Sequence, residues 1–447
     1  MTKIEICAVG GYNEVGKNMT AIKYGDEVVV CDMGLHLPKI ITFEEGGGCR
    51  EELTREELIN IDAIPDDSVI EQWNKNVKAI VVTHCHLDHL GAIPFMASDF
   101  KCPIIGTPFT LEVMKSILRD DRIKLPNQLK VLNPNSSMKL SENITVEFIN
   151  MTHSTPQTVM AVIHTPEGAV IYANDFKFDN HPVVGKKPNY DRLKEIGKKG
   201  VAAIIVDALY SSSNMKTPSE KVAREMLKDV MLGTENEGNL VVVTTFASHI
   251  ARLSSIVDFG KKMHRKILFL GRSLDKYVRA AETIKIIDFT KSVDLVGGSA
   301  NVERKLRVVV KNRGKYLIVC TGNQGEPNAT LMKMALGEFP SFRFEKNDHM
   351  IFACRTIPSP INIANRAMIE EKIEKQGVRI FKDLHTSGHA SREDHRDLLN
   401  MLKPKHVIPA HGDMTKLSPM ADLACEMGYE LGKTVHLLRN GQIIELS

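Results

Sequence analysis

The sequence predicts an α/β protein in which a second α/β domain, with a mostly parallel sheet, is inserted into the first. Three observations support this fold class. Short apolar strands ending in Asp or His recur over the first 207 residues and return near the C-terminus. Between residues 208 and 370, apolar strands alternate with helical stretches, as in βαβ units. With 43% hydrophobic and 25% charged residues, the 447-residue chain can bury the cores of two or more domains.

The strands of the predicted first domain share one kind of ending. Six apolar runs stop at an aspartate or a histidine, and these residues are Asp32, His84, His153, Asp175, Asp207 and His411. One such ending is ordinary, because buried strands often stop at a polar residue. Six endings that use only Asp and His indicate one shared edge, since open α/β sheets bind ligands at the carboxyl ends of their strands.

The middle of the chain has a different pattern. Strand-like runs alternate there with helical stretches, and the runs are NLVVVTTF, KILFLG, YLIVCTG and HMIFACR. This alternation indicates a mostly parallel sheet, because parallel strands need helical crossovers. We therefore expect residues 208–370 to form the inserted domain, and residues 1–207 and 371–447 to form the two parts of the first domain.

The charge is unevenly distributed between these domains. Residues 208–370 contain 25 Lys and Arg against 16 Asp and Glu, whereas the rest of the chain contains 33 against 39. A basic domain beside an acidic, ligand-bearing one suits a polyanion that lies over metal ions. A merely solvated surface would give the same count, so the charge alone does not exclude it.

Several classes of protein are excluded by composition. None of the eight cysteines forms a CxxC pair, which argues against a cysteine-rich zinc module and a thioredoxin-like site. No apolar run reaches about 18 residues, the length of a membrane span. The N-terminus lacks the basic-then-apolar layout of a signal peptide, so we expect a cytoplasmic protein.

The segment His84-x-His86-x-Asp88-His89 is the strongest motif in the chain, with four potential ligands within six residues. His84 and His86 alternate, so an extended backbone points both to one side. Asp88 and His89 fall in the turn that enters the next helix and can point elsewhere. One motif can therefore serve two metal ions about 3.5–4 Å apart, as two-metal hydrolases require. Imidazole and carboxylate groups suit zinc or a similar divalent ion.

Other strand-end residues can complete such a centre. His153 can join the first ion and His411 the second, while Asp175 can bridge both because a carboxylate has two oxygens. Asp32 is better suited to accept a hydrogen bond from a ligand histidine and orient it. Taken singly, the two histidines would more often be core or surface residues, and Asp32 an ordinary cap.

A second constellation is HTSGHAS, residues 385–391. Its Ser-Gly pair lets the backbone approach an anion closely and exposes N–H donors. A protonated imidazole of His385 or His389 would hold a phosphate or give a proton to a leaving oxygen, with Asp207 holding that imidazole in place. The alternative is a serine-rich turn before a helix capped by Ser391, and the two interpretations are compatible.

Two further segments carry weaker signals. Ser248 and His249 lie at a strand-to-helix junction in TTFASHIARL, where helix N–H groups can receive an anion. Residues 10–18, GGYNEVGKN, are glycine-rich but match neither GxGxxG nor the P-loop, and we interpret them as a tight turn.

Together these residues resemble the metallo-β-lactamase superfamily over nearly the whole chain. The residues that match its pattern in order and spacing are Asp32, His84, His86, Asp88, His89, His153, Asp175 and His411. Asp207, the insertion, HTSGHAS and PAHGD resemble the β-CASP branch, which acts on nucleic acids. FKFD after Asp175, SGHAS and FASHIARL resemble ribonuclease J, and the chain that ends at Ser447 is similar to its archaeal, core-only type.

The resemblance implies a metallo-β-lactamase αββα sandwich with an inserted β-CASP domain. It implies two zinc ions, with manganese or magnesium as alternatives. One ion would be held by His84, His86, His153 and Asp175, and the other by Asp88, His89, Asp175 and His411. His389 would act as general acid with support from Asp207, while a bridging hydroxide attacks the phosphorus. The implied RNA-binding residues are Ser248, His249, Ile250, His385, Thr386, Ser387, Gly388 and His389.

The implied function is a 5′-to-3′ exoribonuclease that acts on 5′-monophosphorylated RNA in RNA decay and processing. The resemblance also implies a cytoplasmic location and a homodimer. An endoribonuclease or a dual-mode nuclease is the first alternative. A small-molecule metallohydrolase fits HxHxDH but leaves the basic insertion without a purpose. A non-catalytic RNA-binding subunit would usually have lost ligands, whereas all seven candidates are present.

Overall fold

The computed structural model describes residues 2–46, 53–357 and 359–446. Contacts within the chain divide it into two units. The first unit comprises Met1–Asn180, Lys186–Thr217 and Ser387–Ser447, and the second comprises His181–Gly185 and Pro218–Thr386. The domain limits at residues 207 and 370 stay a prediction.

The first unit contains two mixed sheets. One has seven strands in the order β19-β1-β2-β3-β4-β5-β6, and these are β1 Ile4–Gly10, β2 Met19–Tyr24, β3 Glu27–Cys31, β4 Val77–Val82, β5 Ile104–Gly106, β6 Leu129–Val131 and β19 Gln442–Leu446. The other has six strands in the order β18-β11-β10-β9-β8-β7, and these are β7 Ser136–Lys139, β8 Thr145–Asn150, β9 Val159–Thr165, β10 Gly168–Ala173, β11 Val201–Asp207 and β18 His406–Ala410. Strands β3 and β4 are parallel neighbours in the first sheet, as are β10, β11 and β18 in the second.

The two sheets pack face to face as a sandwich, because alternate residues of a strand belong to two different core clusters. In β10, Val170 and Tyr172 join a core cluster with Ile6 of β1 and Val29 of β3, so this face packs on the other sheet. The intervening Ile171 belongs to a second cluster, which is covered by helices. Both faces of the central strands are therefore buried, which explains their nearly continuous apolar sequences.

Helices cover the outer faces of this sandwich. Those of the first unit are α1 Leu37–Glu45, α2 Arg55–Asn60, α3 Leu87–Leu90, α4 Ile93–Met96, α5 Pro108–Asp120, α6 Tyr190–Lys199, α13 Arg392–Leu402 and α14 Met414–Glu426. Leu193 of α6, Leu398 of α13 and Leu417 of α14 pack in the second cluster. A capping box of Ser391 and Asp394 begins α13, as the sequence predicts.

The second unit is a parallel α/β layer structure. Its sheet has six strands in the order β14-β13-β15-β12-β16-β17, and these are β12 Val241–Thr244, β13 Lys266–Leu270, β14 Val293–Val296, β15 Tyr316–Cys320, β16 His349–Phe352 and β17 Arg379–Phe381. All neighbouring strands are parallel. The helices are α7 Glu220–Gly233, α8 Ile250–Lys262, α9 Arg272–Thr283, α10 Ser299–Val309, α11 Thr330–Leu336 and α12 Pro360–Glu374.

The α/β fold class predicted from the sequence is confirmed: the first unit is a sandwich of two sheets covered by helices, and the α/β unit inserted into its sequence has a parallel sheet. Within the described residues, the helices are too short or too polar to cross a membrane.

Candidate metal centre

The carboxyl ends of the first unit's strands bring the predicted ligands together. Asp175 follows β10, Asp207 ends β11 and His411 follows β18, and these three strands are parallel neighbours. In the other sheet, Asp32 follows β3, while the histidine motif follows β4. His153 lies three residues beyond the end of β8.

The first ligand group consists of His84, His86, His153 and Asp175. The Nε2 atoms of His84 and His153 lie 3.1 and 3.2 Å from Nδ1 of His86. Asp175 Oδ2 lies 3.5 Å from His84 Nε2 and 3.4 Å from His153 Nε2. Four ligand atoms at zinc distances in a tetrahedron are about 3.3–3.6 Å apart, so this group fits one ion.

The second ligand group consists of Asp88, His89, His411 and Asp175. Asp175 Oδ1 lies 3.2 Å from His89 Nε2 and 3.8 Å from His411 Nε2. Asp88 Oδ2 lies 3.7 and 3.9 Å from the same two nitrogens. Each oxygen of Asp175 thus faces a different group, which is the arrangement of a bridging carboxylate.

The chemistry of the donors also fits divalent metal ions. Asp175 Oδ1 is buried and accepts no hydrogen bond from the described residues. Burial and the nearby His84 lower the pKa of His86 to about 3, so its imidazole is neutral and keeps a lone pair for a metal. Burial likewise lowers the pKa of His84. Burying the charge of a carboxylate oxygen that accepts no hydrogen bond, among neutral histidines, destabilises the fold when no cation is bound. A bound cation would remove that free-energy cost.

Groups behind the ligands fix their orientation. Asp32 Oδ2 accepts a hydrogen bond from Nδ1 of His89 at 2.7 Å, the role predicted for it from the sequence. Thr83, which the sequence analysis missed, donates to Asp32 from its backbone N–H at 2.8 Å and from its hydroxyl. These contacts hold Nδ1 of His89 against Asp32 and direct its Nε2 at the second group.

Two more orienting contacts come from distant loops. His411 Nδ1 donates to Oδ1 of Asn18 at 2.9 Å, and His153 Nδ1 donates to the carbonyl oxygen of Gly388 at 2.7 Å. Asn18 lies in the segment that we interpreted as a tight turn. The one sequence signal that could have found Asn18 is its place between a glycine-rich segment and the apolar run of β2, which begins at Met19.

His389 and Asp207 form a pair beside the first group. Asp207 Oδ2 accepts from His389 Nδ1 at 2.8 Å, while His389 Nε2 lies 3.9 Å from Oδ2 of Asp175. Burial opposes protonation of His389, but the two carboxylates outweigh it and raise its pKa to about 9. The imidazole is therefore a protonated donor at neutral pH in this structure.

The Ser-Gly-His turn that carries His389 lies against the ligands of the first group. The backbone N–H of His389 donates to Ser387 Oγ at 3.0 Å, which closes the turn. A Cβ atom on Gly388 would lie 2.9 Å from two atoms of the His153 ring, so the backbone approaches that ring as only glycine allows.

The remaining predicted substrate residues lie in the second unit. His249 is the N-cap of α8, and its Nδ1 accepts from the backbone N–H of Arg252 at 3.3 Å. Ser248 and Ile250 flank it and are largely buried. The carboxylate of Glu220 lies 3.5 Å from His249 Nε2. The Glu220 carboxylate therefore contacts the N-cap residue of α8.

His385 and Thr386 belong to the same network of the second unit. Thr386 Oγ1 donates to Glu220 Oε2 at 3.3 Å, and Arg252 donates to the carbonyl oxygen of Leu384 at 3.1 Å. Burial and the Arg252 charge lower the pKa of His385 to about 2. At neutral pH His385 is thus a neutral group and can offer an N–H donor but no positive charge.

Three family models match the chain. They are described as a beta-lactamase superfamily domain, matched by residues 59–195, a ribonuclease J beta-CASP domain, matched by residues 238–374, and a Zn-dependent metallo-hydrolase RNA specificity domain, matched by residues 378–437.

Curated relatives extend this similarity to the whole chain. Ribonuclease J of Methanocaldococcus jannaschii is 45% identical over 99% of this chain and 98% of its own length. Ribonuclease J of Pyrococcus abyssi is 43% identical over 99% and 97%. Ribonuclease J 1 of Streptococcus pyogenes is 30% identical over 100% of this chain and 75% of its own length. A protein of unknown function from Enterococcus faecalis, 16% identical with a TM-score of 0.66 over 99% of this chain and 100% of its own, shares the fold.

Proposed function

The chain belongs to the ribonuclease J family of metal-dependent ribonucleases, and we propose that it removes nucleotides from the 5′ end of 5′-monophosphorylated RNA. We further propose that it uses two zinc ions, because imidazole-rich donor sets favour zinc over harder ions. Action in the cytoplasm and assembly into a homodimer belong to the same proposal and rest on resemblance.

The observation that carries the proposal is the shared carboxylate of Asp175. Its two oxygens face two ligand groups, and each group is completed by three further side chains. A pair of bound divalent ions would supply an activated water as nucleophile and neutralise the charge of a scissile phosphate. The first group would be His84, His86, His153 and Asp175, and the second Asp88, His89, Asp175 and His411.

His389 is the proposed proton donor. Its Nε2 is directed toward the ligand cluster, 3.9 Å from Asp175, while its Nδ1 is held by Asp207. A protonated imidazole in this position can protonate the oxygen that leaves the phosphorus, and Asp207 stabilises the imidazolium and fixes the ring.

Backbone and hydroxyl donors are the proposed phosphate-binding groups. In the first unit these are Ser387 and Gly388, next to His153 of the metal cluster. In the second unit they are residues 248–250 at the start of α8 and the neutral imidazole and hydroxyl of His385 and Thr386. A 5′ phosphate held by the turn at Ser387 and Gly388 would set the first phosphodiester at the ligand cluster, which favours removal of one nucleotide at a time.

The test is one time course on a single RNA that carries a label at either its 5′ or its 3′ end. Each form is prepared with a 5′ monophosphate and with a 5′ triphosphate. We expect the 5′ label to appear at once as a mononucleotide and the 3′-labelled RNA to shorten gradually, with the monophosphate preferred. Asp175→Asn should bind RNA but not cleave it, because both ligand groups lose charge.

A circular version of the same RNA is the control for direction. It should resist the enzyme, because it offers no 5′ end. Stable internal fragments from the circle would overturn the exonuclease and indicate an endonuclease or a dual-mode enzyme. Hydrolysis of nitrocefin or a glutathione thioester, with RNA left intact, would indicate a small-molecule hydrolase instead.

A further inference from the structure

The glycine-rich segment 10–18 packs around the second ligand group. The backbone N–H of His411 donates to the carbonyl oxygen of Gly11 at 2.6 Å. At the other end of the segment, the backbone N–H of Asn18 donates to the carbonyl oxygen of Asp88 at 3.0 Å. The loops that carry His411 and Asp88 are thus both tied to the same short segment.

The side chain of Asn18 makes the closest connections. It is 1% exposed, and its Oδ1 accepts from Nδ1 of His411 at 2.9 Å and from Nδ2 of Asn174 at 3.3 Å. Its Nδ2 donates to the carbonyl oxygen of Asp88 at 3.1 Å and lies 3.2 Å from Nε2 of His89. One amide therefore touches all three residues that complete the group around Asp175.

The partners fix which way this amide points. The backbone carbonyl of Asp88 can only accept, so Nδ2 of Asn18 must face it, and Oδ1 must then face His411. With Oδ1 as acceptor, His411 must carry its proton on Nδ1. Its Nε2 then has a free lone pair directed at Asp175.

We propose that Asn18 is a positioning residue for the second metal ion: it selects the tautomer of His411 and fixes the backbone of Asp88, so the affinity of that ion depends on it. The inference rests on the proposed two-metal site. Among the described residues, the first group is oriented by other contacts: the Gly388 carbonyl accepts from His153, and the Thr83 hydroxyl lies 3.2 Å from His84 Nδ1. Loss of the Asn18 amide should therefore weaken the binding of the second metal ion and leave the binding of the first unchanged.

The experiment measures zinc affinity by competition with a chromophoric chelator in two backgrounds. His86→Ala leaves only the second group intact, and Asp88→Asn weakens that group and leaves the first. Adding Asn18→Ala to His86→Ala should raise the dissociation constant about 10–100-fold, the usual cost of losing an orienting partner. Adding it to Asp88→Asn should change the constant less than about 3-fold.

Asn127→Ala is the matched control. Asn127 is also a buried asparagine, and its amide donates to two carbonyls, those of Phe100 and Cys102 at 2.7 and 2.9 Å. It should cost stability but leave zinc affinity unchanged in either background. Thermal unfolding of every variant without metal shows whether a loss of affinity reflects the fold or the site.

A second variant perturbs the same amide without removing it. A Cβ atom on Gly11, where φ is +87°, would lie 2.5 Å from Oδ1 of Asn18. Gly11→Ala should therefore weaken zinc binding in the His86→Ala background as Asn18→Ala does. Nitrogen NMR of the metal-free protein should show the His411 proton on Nδ1 in wild type, and a lost preference in Asn18→Ala.

The outcomes separate this inference from the proposed function. If wild type binds fewer than two zinc ions, the two-metal proposal fails first and the inference fails with it. If wild type binds two ions and Asn18→Ala keeps the affinity of the second group, the proposed function stands and Asn18 is not a positioning residue. An equal loss in both backgrounds would also overturn the inference.

Discussion

Replacing Gly388 with alanine should weaken metal binding at the first ligand group, although none of the candidate ligands is substituted. The new Cβ atom would lie 2.9 Å from Cε1 and Nδ1 of His153 and 3.2 Å from the backbone nitrogen of Ser154. Ordinary carbon contacts are about 3.5–4.0 Å, so the ring or the turn must move by about 0.6–1 Å. The Nδ1–H···O=C bond of 2.7 Å between His153 and Gly388 cannot survive such a shift in good geometry.

The expected size of the effect follows from that bond. Leaving a buried donor without its acceptor costs about 1–3 kcal/mol, which corresponds to roughly 5- to 150-fold in an equilibrium constant. We therefore expect the zinc dissociation constant of the first group to rise by about 10–100-fold. RNA cleavage should fall in proportion at limiting zinc and recover in part at excess zinc.

The assay is chelator competition on Gly388→Ala, followed by cleavage rates over a zinc series. Gly233→Ala is the control, because Gly233 ends α7 and has no atom within 4 Å of the position of an added Cβ. That control should bind zinc as wild type does. Wild-type zinc affinity in Gly388→Ala would refute the idea that the turn orients His153.

Three further predictions use other parts of the chain. Asp207→Asn should move the alkaline limb of the pH–rate profile to lower pH, because a proton donor works only below its pKa and Asp207 helps to raise that of His389 to about 9; an unshifted limb would contradict the pairing. Arg252→Met should destabilise the second unit by about 3–5 kcal/mol in urea unfolding, since it leaves the buried carboxylate of Glu220 without its bidentate partner, and a loss below about 1 kcal/mol would disprove this. A metal chelator should stop cleavage and lower the melting temperature of wild type, but lower that of Asp175→Asn much less; equal shifts would mean that the metals do not depend on Asp175.

That the candidate ligands lie close together could be predicted from the sequence, because their placement depends on local pattern. A buried strand is recognisable from its apolar run, and its carboxyl end can be located within a residue or two. His84 and Asp175 follow β4 and β10 by two residues each, and His411 follows β18 directly. Once parallel strands share an edge, residues at their ends converge without any knowledge of the loops between them.

The orienting contacts could not be predicted in the same way. Asn18 and His411 are 393 residues apart, and His153 and Gly388 are 235 residues apart. Each contact depends on how an irregular loop folds back over a strand end, and no periodicity in the sequence records that path. Glycine and asparagine are also ordinary turn residues, so their presence in these loops favours a turn before it suggests a site.

The backbone at the strand ends gives a second reason why the ligand pattern is visible in the sequence. Asp32, Asp175 and His411 all have left-handed backbone conformations, with φ of +59°, +48° and +61°. That conformation costs most side chains about 1–2 kcal/mol, but Asp, Asn and His adopt it more readily than others. In each case the left-handed residue lies one or two positions beyond the end of a strand. The residue types that tolerate this turn are therefore also those that can bind metals or orient metal ligands, and few other residue types satisfy both requirements.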